Sequence, residues 1–143
     1  MIDDVQAIKN LVYRYSEAFD TGDFDSAVGL FAEARVRVSG SDATFTGAAI
    51  RSLLTDRMRL YDGIPMTKHF ITNVIIDIAA GGRDADARSY FVALQALPDF
   101  PLQPVLAGRW HDRLTKVDGQ WRFEERLIHA DLMGDISHHL TVD

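Results

Sequence analysis

A chain of 143 residues, 47% apolar and 25% charged, can bury one sizeable core but not two, so residues 1–143 are expected to form a single domain. The net charge of -6, without a dense Lys/Arg block, argues against nucleic acid, and the lack of cysteine excludes disulfides, thiolate nucleophiles and Cys-ligated metals. With no basic leader and no apolar run near bilayer length, the expectation is a cytoplasmic protein that does not enter a membrane.

The chain opens with apolar residues at Ile2, Val5, Ile8, Leu11, Val12, Tyr15, Ala18 and Phe19, the spacing of one stripe along a helix. Gly22 suits the end of that helix, and Asp23 suits the cap of a second, Phe24 to Phe31. Asp20 is therefore a carboxylate that no cap requires. Short strands are predicted at Arg35–Val38 and Ala43–Thr46 around a Ser39-Gly40-Ser41-Asp42 turn, followed by a third helix from Gly47 to Leu60.

From Lys68 the period changes to two. Strict alternation puts Phe70, Thr72, Val74, Ile76 and Ile78 on one face and His69, Ile71, Asn73, Ile75 and Asp77 on the other. Gly81-Gly82-Arg83-Asp84 turns the chain into a strand from Ala85 to about Ala96, and Leu97–Pro104, with three of the four prolines, reads as a loop able to serve as a lid. Val105–Val117 and Gln120 to about Ala130 form a hairpin around Asp118-Gly119, a strong short-range turn signal. Helices first and a meander afterwards imply an α+β domain with a ligand pocket between its layers.

Several of these residues resemble the nuclear-transport-factor-2-like superfamily, and within it the SnoaL-like group of polyketide cyclases and related proteins. They are Arg14-Tyr15, Ala18, Asp20, Gly22-Asp23 and Leu30-Phe31; His69-Phe70 with Asn73; Gly108-Arg109-Trp110-His111-Asp112; and Asp118-Gly119-Gln120-Trp121-Arg122-Phe123. The resemblance implies a cone-shaped fold, in which a curved mixed, mainly antiparallel sheet wraps a long N-terminal helix, with two shorter helices and a mostly apolar cavity. Scytalone dehydratase and hexachlorocyclohexane dehydrochlorinase of this superfamily carry an Asp at the end of helix one and a His at the start of the central strand, positions matched by Asp20 and His69. The dehydrochlorinase's Arg, five residues after the tryptophan of the closing turn, is matched by Arg126 after Trp121, and the helix-one tyrosine of ketosteroid isomerase by Tyr15. The last hairpin also resembles the small subunit of aromatic-ring dioxygenases, which is mainly structural.

The candidate catalytic residues are thus Asp20, His69, Arg126 and Tyr15, and the candidate substrate-binding residues are Phe19, Trp110 and Ile128. An imidazole held at one nitrogen by a carboxylate is fixed in tautomer and can move a proton at the other. His111, His129, His138 and His139 show no recognisable metal-ligand spacing and no Gly-rich phosphate loop is present, so neither metal nor organic cofactor is expected. The expected function is a cofactor-independent lyase, dehydratase or isomerase acting on a small apolar cyclic or aromatic-like compound through the Asp20–His69 dyad. The alternative is a non-catalytic ligand-binding or assembly module. The partners expected are a small apolar ligand and further copies of the chain, as a homodimer or homotrimer.

Overall fold

The apolar stripe of the first segment folds as helix α1 (Asp4–Asp20) in a computed structural model that describes residues 2–141. Asp3 caps the helix by accepting from the Gln6 N–H at 2.8 Å. Ile8, Val12, Tyr15, Ser16, Phe19 and Asp20 form the buried face, one residue or two per turn, so burial itself carries the helix's stability. At the other end Gly22 N–H bonds Phe19 O and Asp23 N–H bonds Ala18 O, the paired reversal that terminates helices on a left-handed residue. Gly22 takes that conformation, with φ at +81°, and a Cβ there would come within 2.5 Å of Gly63 O. Asp23 then caps α2 (Phe24–Gly29) through the Ser26 N–H, as expected.

Among the described residues six strands form one mixed sheet: β1 (Arg35–Val38), β2 (Thr44–Phe45), β3 (Thr67–Ile78), β4 (Asp84–Leu97), β5 (Phe100–Val117) and β6 (Gln120–Met133). Their order is β2-β1-β6-β5-β4-β3, antiparallel throughout except for the parallel β1–β6 pair. Helix α1 packs against both β3, at one edge, and β6, three strands away, so the sheet curls around it. This is the expected α+β arrangement, with the core between α1 and the concave face. Helix α3 (Ala48–Thr55) is shorter than the predicted Gly47–Leu60, because the chain turns at Asp56 and runs back along the C-terminal segment.

Two predictions from strand pattern are corrected. The stretch Leu97–Pro104 is no lid: β4 continues to Leu97, β5 starts at Phe100, and these two residues pair across a tight turn. Pro101 and Pro104 are tolerated because β6 reaches only to Leu106 of β5, which leaves the proline-bearing stretch with β4 as its single strand partner. The alternation along β3 is also broken. Thr72 pairs with Tyr90 and Ile75 with Arg88, so Asn73 and Val74 together oppose Ser89, and Asn73 adopts φ of +54°. The extra residue brings Val74, Ile76 and Ile78 onto the inner face with His69 and Ile71, while Phe70, Thr72, Ile75 and Asp77 face outward.

Asparagine tolerates the left-handed region far better than a β-branched residue. Asn73→Val is therefore expected to lose about 1–2 kcal/mol in urea unfolding, and Asn73→Gly to match or exceed the parent. Equal stability of Asn73→Val and the parent would show that this bulge does not set the face of β3.

Candidate functional site

The last residue of α1 and the first turn of β3 build the site. Asp20 Oδ1 accepts from the Thr67 hydroxyl at 2.8 Å and lies 2.6 Å from His69 Nδ1, while Oδ2 accepts from the His69 backbone N–H at 2.7 Å. The carboxylate is thus gripped from three sides, with both side chains of the pair largely buried. The Phe19 ring stands edge-on to the imidazole, with centroids 5.3 Å apart, and Phe91 lies 6.4 Å away. The pair borders a groove of about 500 Å³ between α1 and β3, walled by Tyr13, Ser16, Glu17, Lys68, Phe70 and Ile71 among others.

The other sequence candidates lie deeper. Phe91 stacks on Trp110, with centroids 5.0 Å apart, and Trp110 meets Tyr15 edge-on at 5.3 Å, so an unbroken aromatic path leads from His69 into the core. Gly108 makes room for it: a Cβ there would come within 2.8 Å of the Phe91 ring and 1.9 Å of His129 O. At the end of the path Arg126, only 1% exposed, lies over Trp110 at 3.8 Å and over Tyr15 at 4.7 Å, with Phe31 and Phe123 beside it. Arg126 Nε and Nη2 donate to Asp112 at 2.7 and 2.9 Å; Nη1 is buried without a hydrogen-bond partner among the described residues. Burial pushes the Tyr15 hydroxyl above its ordinary value, against the attraction of the neighbouring guanidinium. Ile128 pairs with Trp110 across β5 and β6 and packs on the same core.

Sequence reasoning missed Thr67, Phe91 and Asp112. Thr67 shares the parity of His69, a usable signal once the strand start is known. Asp112 was hidden by register. Counting back from the Asp118-Gly119 turn, Leu114 opposes Phe123, and regular pairing would set Asp112 against Glu125; instead Arg113 opposes Glu125 and Asp112 opposes Arg126. The same inserted residue, Glu124, brings Trp121, Phe123 and Arg126 to one face. His139 was also missed. It is buried in the segment after β6, and burial, with help from the charge of His69, pushes its imidazole down from 6.5 to about 4.

On the outer side of the sheet a depression of about 360 Å³ is lined by charges already engaged with one another, such as Arg113–Asp86 and Arg37–Glu125. Among the described residues no group of three or more metal-ligating side chains comes together, and no helix is long and apolar enough to cross a membrane.

The profile of the SnoaL-like domain matches residues 1–127. Among solved structures, the chain is similar to a candidate scytalone dehydratase from Novosphingobium aromaticivorans, at 25% identity over 92% of this chain and 87% of that one, with a TM-score of 0.72. It is similar to a nuclear-transport-factor-2-like protein with a cystatin-like fold from the same organism, at 21% identity over 89% and 81% of the two chains, with a TM-score of 0.71. It is also similar to LinA, at 16% identity over 97% and 93%, with a TM-score of 0.71. The second and third likenesses bear on fold alone. No curated protein matches the chain.

Removing one partner of a buried ion pair strands the other, which typically costs about 3–5 kcal/mol. Arg126→Met is expected to lose that much in urea unfolding, and Arg126→Met with Asp112→Leu to recover most of it; a double variant as unstable as the single one would contradict this.

For His139 the sign of the pH dependence follows from its depressed value. The unfolded chain takes up a proton near 6.5 and the folded chain near 4, so acidification through that window favours unfolding. The parent should lose stability more steeply between those values than His139→Phe does, and parallel curves would refute it.

Proposed function

Since the chain belongs to the SnoaL-like domain family, we propose that it is a cofactor-independent lyase, dehydratase or isomerase for a small, largely apolar cyclic or aromatic-like compound. The observation that carries this reading is the 2.6 Å approach of Asp20 Oδ1 to His69 Nδ1 beside a groove, with apolar rings around the imidazole. An ionised Asp20 holds the proton on Nδ1 and leaves the Nε2 lone pair to act as general base.

In this scheme His69 Nε2 takes a proton from a substrate carbon. The released electron pair forms a carbon–carbon double bond as a leaving group departs from the adjacent carbon. For a dehydration the imidazolium returns its proton to the departing hydroxyl, so that water leaves and the enzyme is unchanged. For an isomerisation no group leaves: the electron pair from the C–H bond is delocalised into a neighbouring double bond of the substrate, and the proton goes back to a different carbon. Asp20 offsets the charge that develops on the imidazole. Tyr15 and the unpartnered Nη1 of Arg126 are the donors proposed to stabilise negative charge on a substrate oxygen or leaving group, with Phe19, Trp110 and Ile128 as the apolar wall.

One observation favours a second reading, that of a non-catalytic ligand-binding or assembly module. Tyr15, Trp110 and Arg126 pack on one another as a core would. Turnover separates the two readings. General acid–base groups are typically worth ~100- to 10,000-fold, so His69→Ala is expected to lower kcat by that order while changing substrate binding far less, and Asp20→Asn to damage the same step by releasing the tautomer. Losses of only about twofold in both variants, with circular dichroism unchanged, would remove the dyad from the mechanism and favour the binding module.

A further inference from the structure

Of the donors that reach the Asp20 carboxylate among the described residues, two belong to His69 itself, through its backbone N–H and its ring. The third is the Thr67 hydroxyl, at 2.8 Å from Oδ1. It is the one contact that is independent of the residue Asp20 has to orient. Thr67 is placed by its own surroundings. It is 5% exposed, opens β3 on the same face as His69, and pairs with Gln95 of β4. Gln95 Nε2 in turn donates to Pro65 O at 3.1 Å and to His138 O at 3.0 Å, so the chain is fastened two residues before Thr67 as well. Between these points Met66 takes φ of +59°, a left-handed conformation that residues with a Cβ rarely adopt. Such strain persists where the structure around it over-determines the backbone. Here the bend delivers the Thr67 side chain to the last residue of α1.

The geometry at Asp20 gives this hydroxyl a task. The terminal torsion of an aspartate is soft, so a carboxylate held through one oxygen can turn and carry the other past its partner. The His69 N–H holds Oδ2 at 2.7 Å and Thr67 holds Oδ1, and these two points fix the carboxylate plane before the ring is considered. Oδ1 therefore already stands where His69 Nδ1 meets it at 2.6 Å. An ionised carboxylate oxygen only accepts, so Oδ1 takes the hydroxyl proton and an Nδ1–H together, whereas a bare Nδ1 lone pair would face the oxygen's own. Threonine suits the position because its branched Cβ restricts χ1 and keeps the hydroxyl aimed.

We propose that Thr67 is a positioning residue of this site: by fixing Oδ1 of Asp20 it keeps the proton of neutral His69 on Nδ1 and leaves Nε2 as the nitrogen able to accept one. This rests on the reading of Asp20 and His69 as the reacting pair. Thr67 acts through Asp20 and touches no reacting atom. A carboxylate already in place needs no reorientation as charge develops on the imidazole, which is the advantage of a preorganised group over one that must turn during the reaction.

The test needs no substrate. NMR signals of the ring nitrogens report how neutral His69 divides between its Nδ1–H and Nε2–H forms, and they are compared at alkaline pH in the parent, Thr67→Val and Thr67→Ser. Thr67→Val keeps the shape of the side chain and removes the donor. One hydrogen bond corresponds to about two- to tenfold in an equilibrium, so the ratio of Nδ1–H to Nε2–H is expected to fall by that factor in Thr67→Val, and Thr67→Ser to restore most of it. A Thr67→Val that is less stable in urea but keeps the parent's ratio marks the hydroxyl as structural and overturns the inference, with the dyad reading intact. Should Thr67→Val fail to fold, the parent decides. Its Thr67 hydroxyl proton and His69 Nδ1 proton, both directed at Oδ1, are expected to exchange slowly with water and to show a mutual nuclear Overhauser effect; a hydroxyl proton that exchanges like that of an exposed threonine overturns the inference. A parent in which the Nε2–H form dominates overturns both this inference and the dyad reading.

Discussion

The burial of Asp20 at the end of α1 is the constraint on which the arrangement of helix and sheet depends. A carboxylate in the last turn of a helix meets the negative end of the helix dipole, which disfavours it by some tenths of a kcal/mol to about 1 kcal/mol. Here that cost is offset by the Thr67 hydroxyl, the His69 N–H and the His69 ring. Because one oxygen takes a backbone donor and the other two side-chain donors, the grip sets both where β3 starts and which way His69 points. At the opposite end Asp4 accepts from Trp121 Nε1 and Lys116 Nζ, so α1 is tied to the two sides of the sheet by an aspartate at each terminus. Loss of the Asp20 contacts would leave β3, an edge strand, with β4 as its one partner in the ladder.

A second device gives the interior its character. Arg126 is enclosed by aromatic rings and neutralised by Asp112 from the neighbouring strand. A well-packed apolar pair of similar volume generally holds a fold at least as well as a buried ion pair, so stability alone does not account for a guanidinium at this depth. What the pair supplies beyond packing is a fixed positive centre along the aromatic path that begins at His69, with one nitrogen uncommitted. In the proposed reaction it is the centre that a developing anion would meet. It also explains the tightness of the surroundings, since each ring that screens the guanidinium from water strengthens its field.

Much of the framework was legible in the sequence. The three-and-four spacing from Ile8 to Phe19, the Gly22 stop, the Asp23 cap and the Asp118-Gly119 hairpin are local signals, each decided within a few residues by backbone preference and side-chain period. The candidates Asp20 and His69 were equally visible, one as a carboxylate without a cap to serve and the other at a strand start. The faces of β3 and β6 were not visible, because one inserted residue, at Asn73 or Glu124, reverses the parity of everything beyond it. Nor was the fate of Leu97–Pro104, where prolines are accepted only because β6 stops short.

The sequence by itself thus determined the elements, their order and the residue types able to hold and move a proton. Only the tertiary structure decided which of them meet: Thr67 with Asp20, Asp112 with Arg126, Phe91 between His69 and Trp110, and Gln95 with the segment that carries His139. The physical reason is range. Helix periods, caps and tight turns are settled by neighbours along the chain, whereas these contacts join residues 14 to 47 positions apart, through a strand register and a chain path that no local preference encodes.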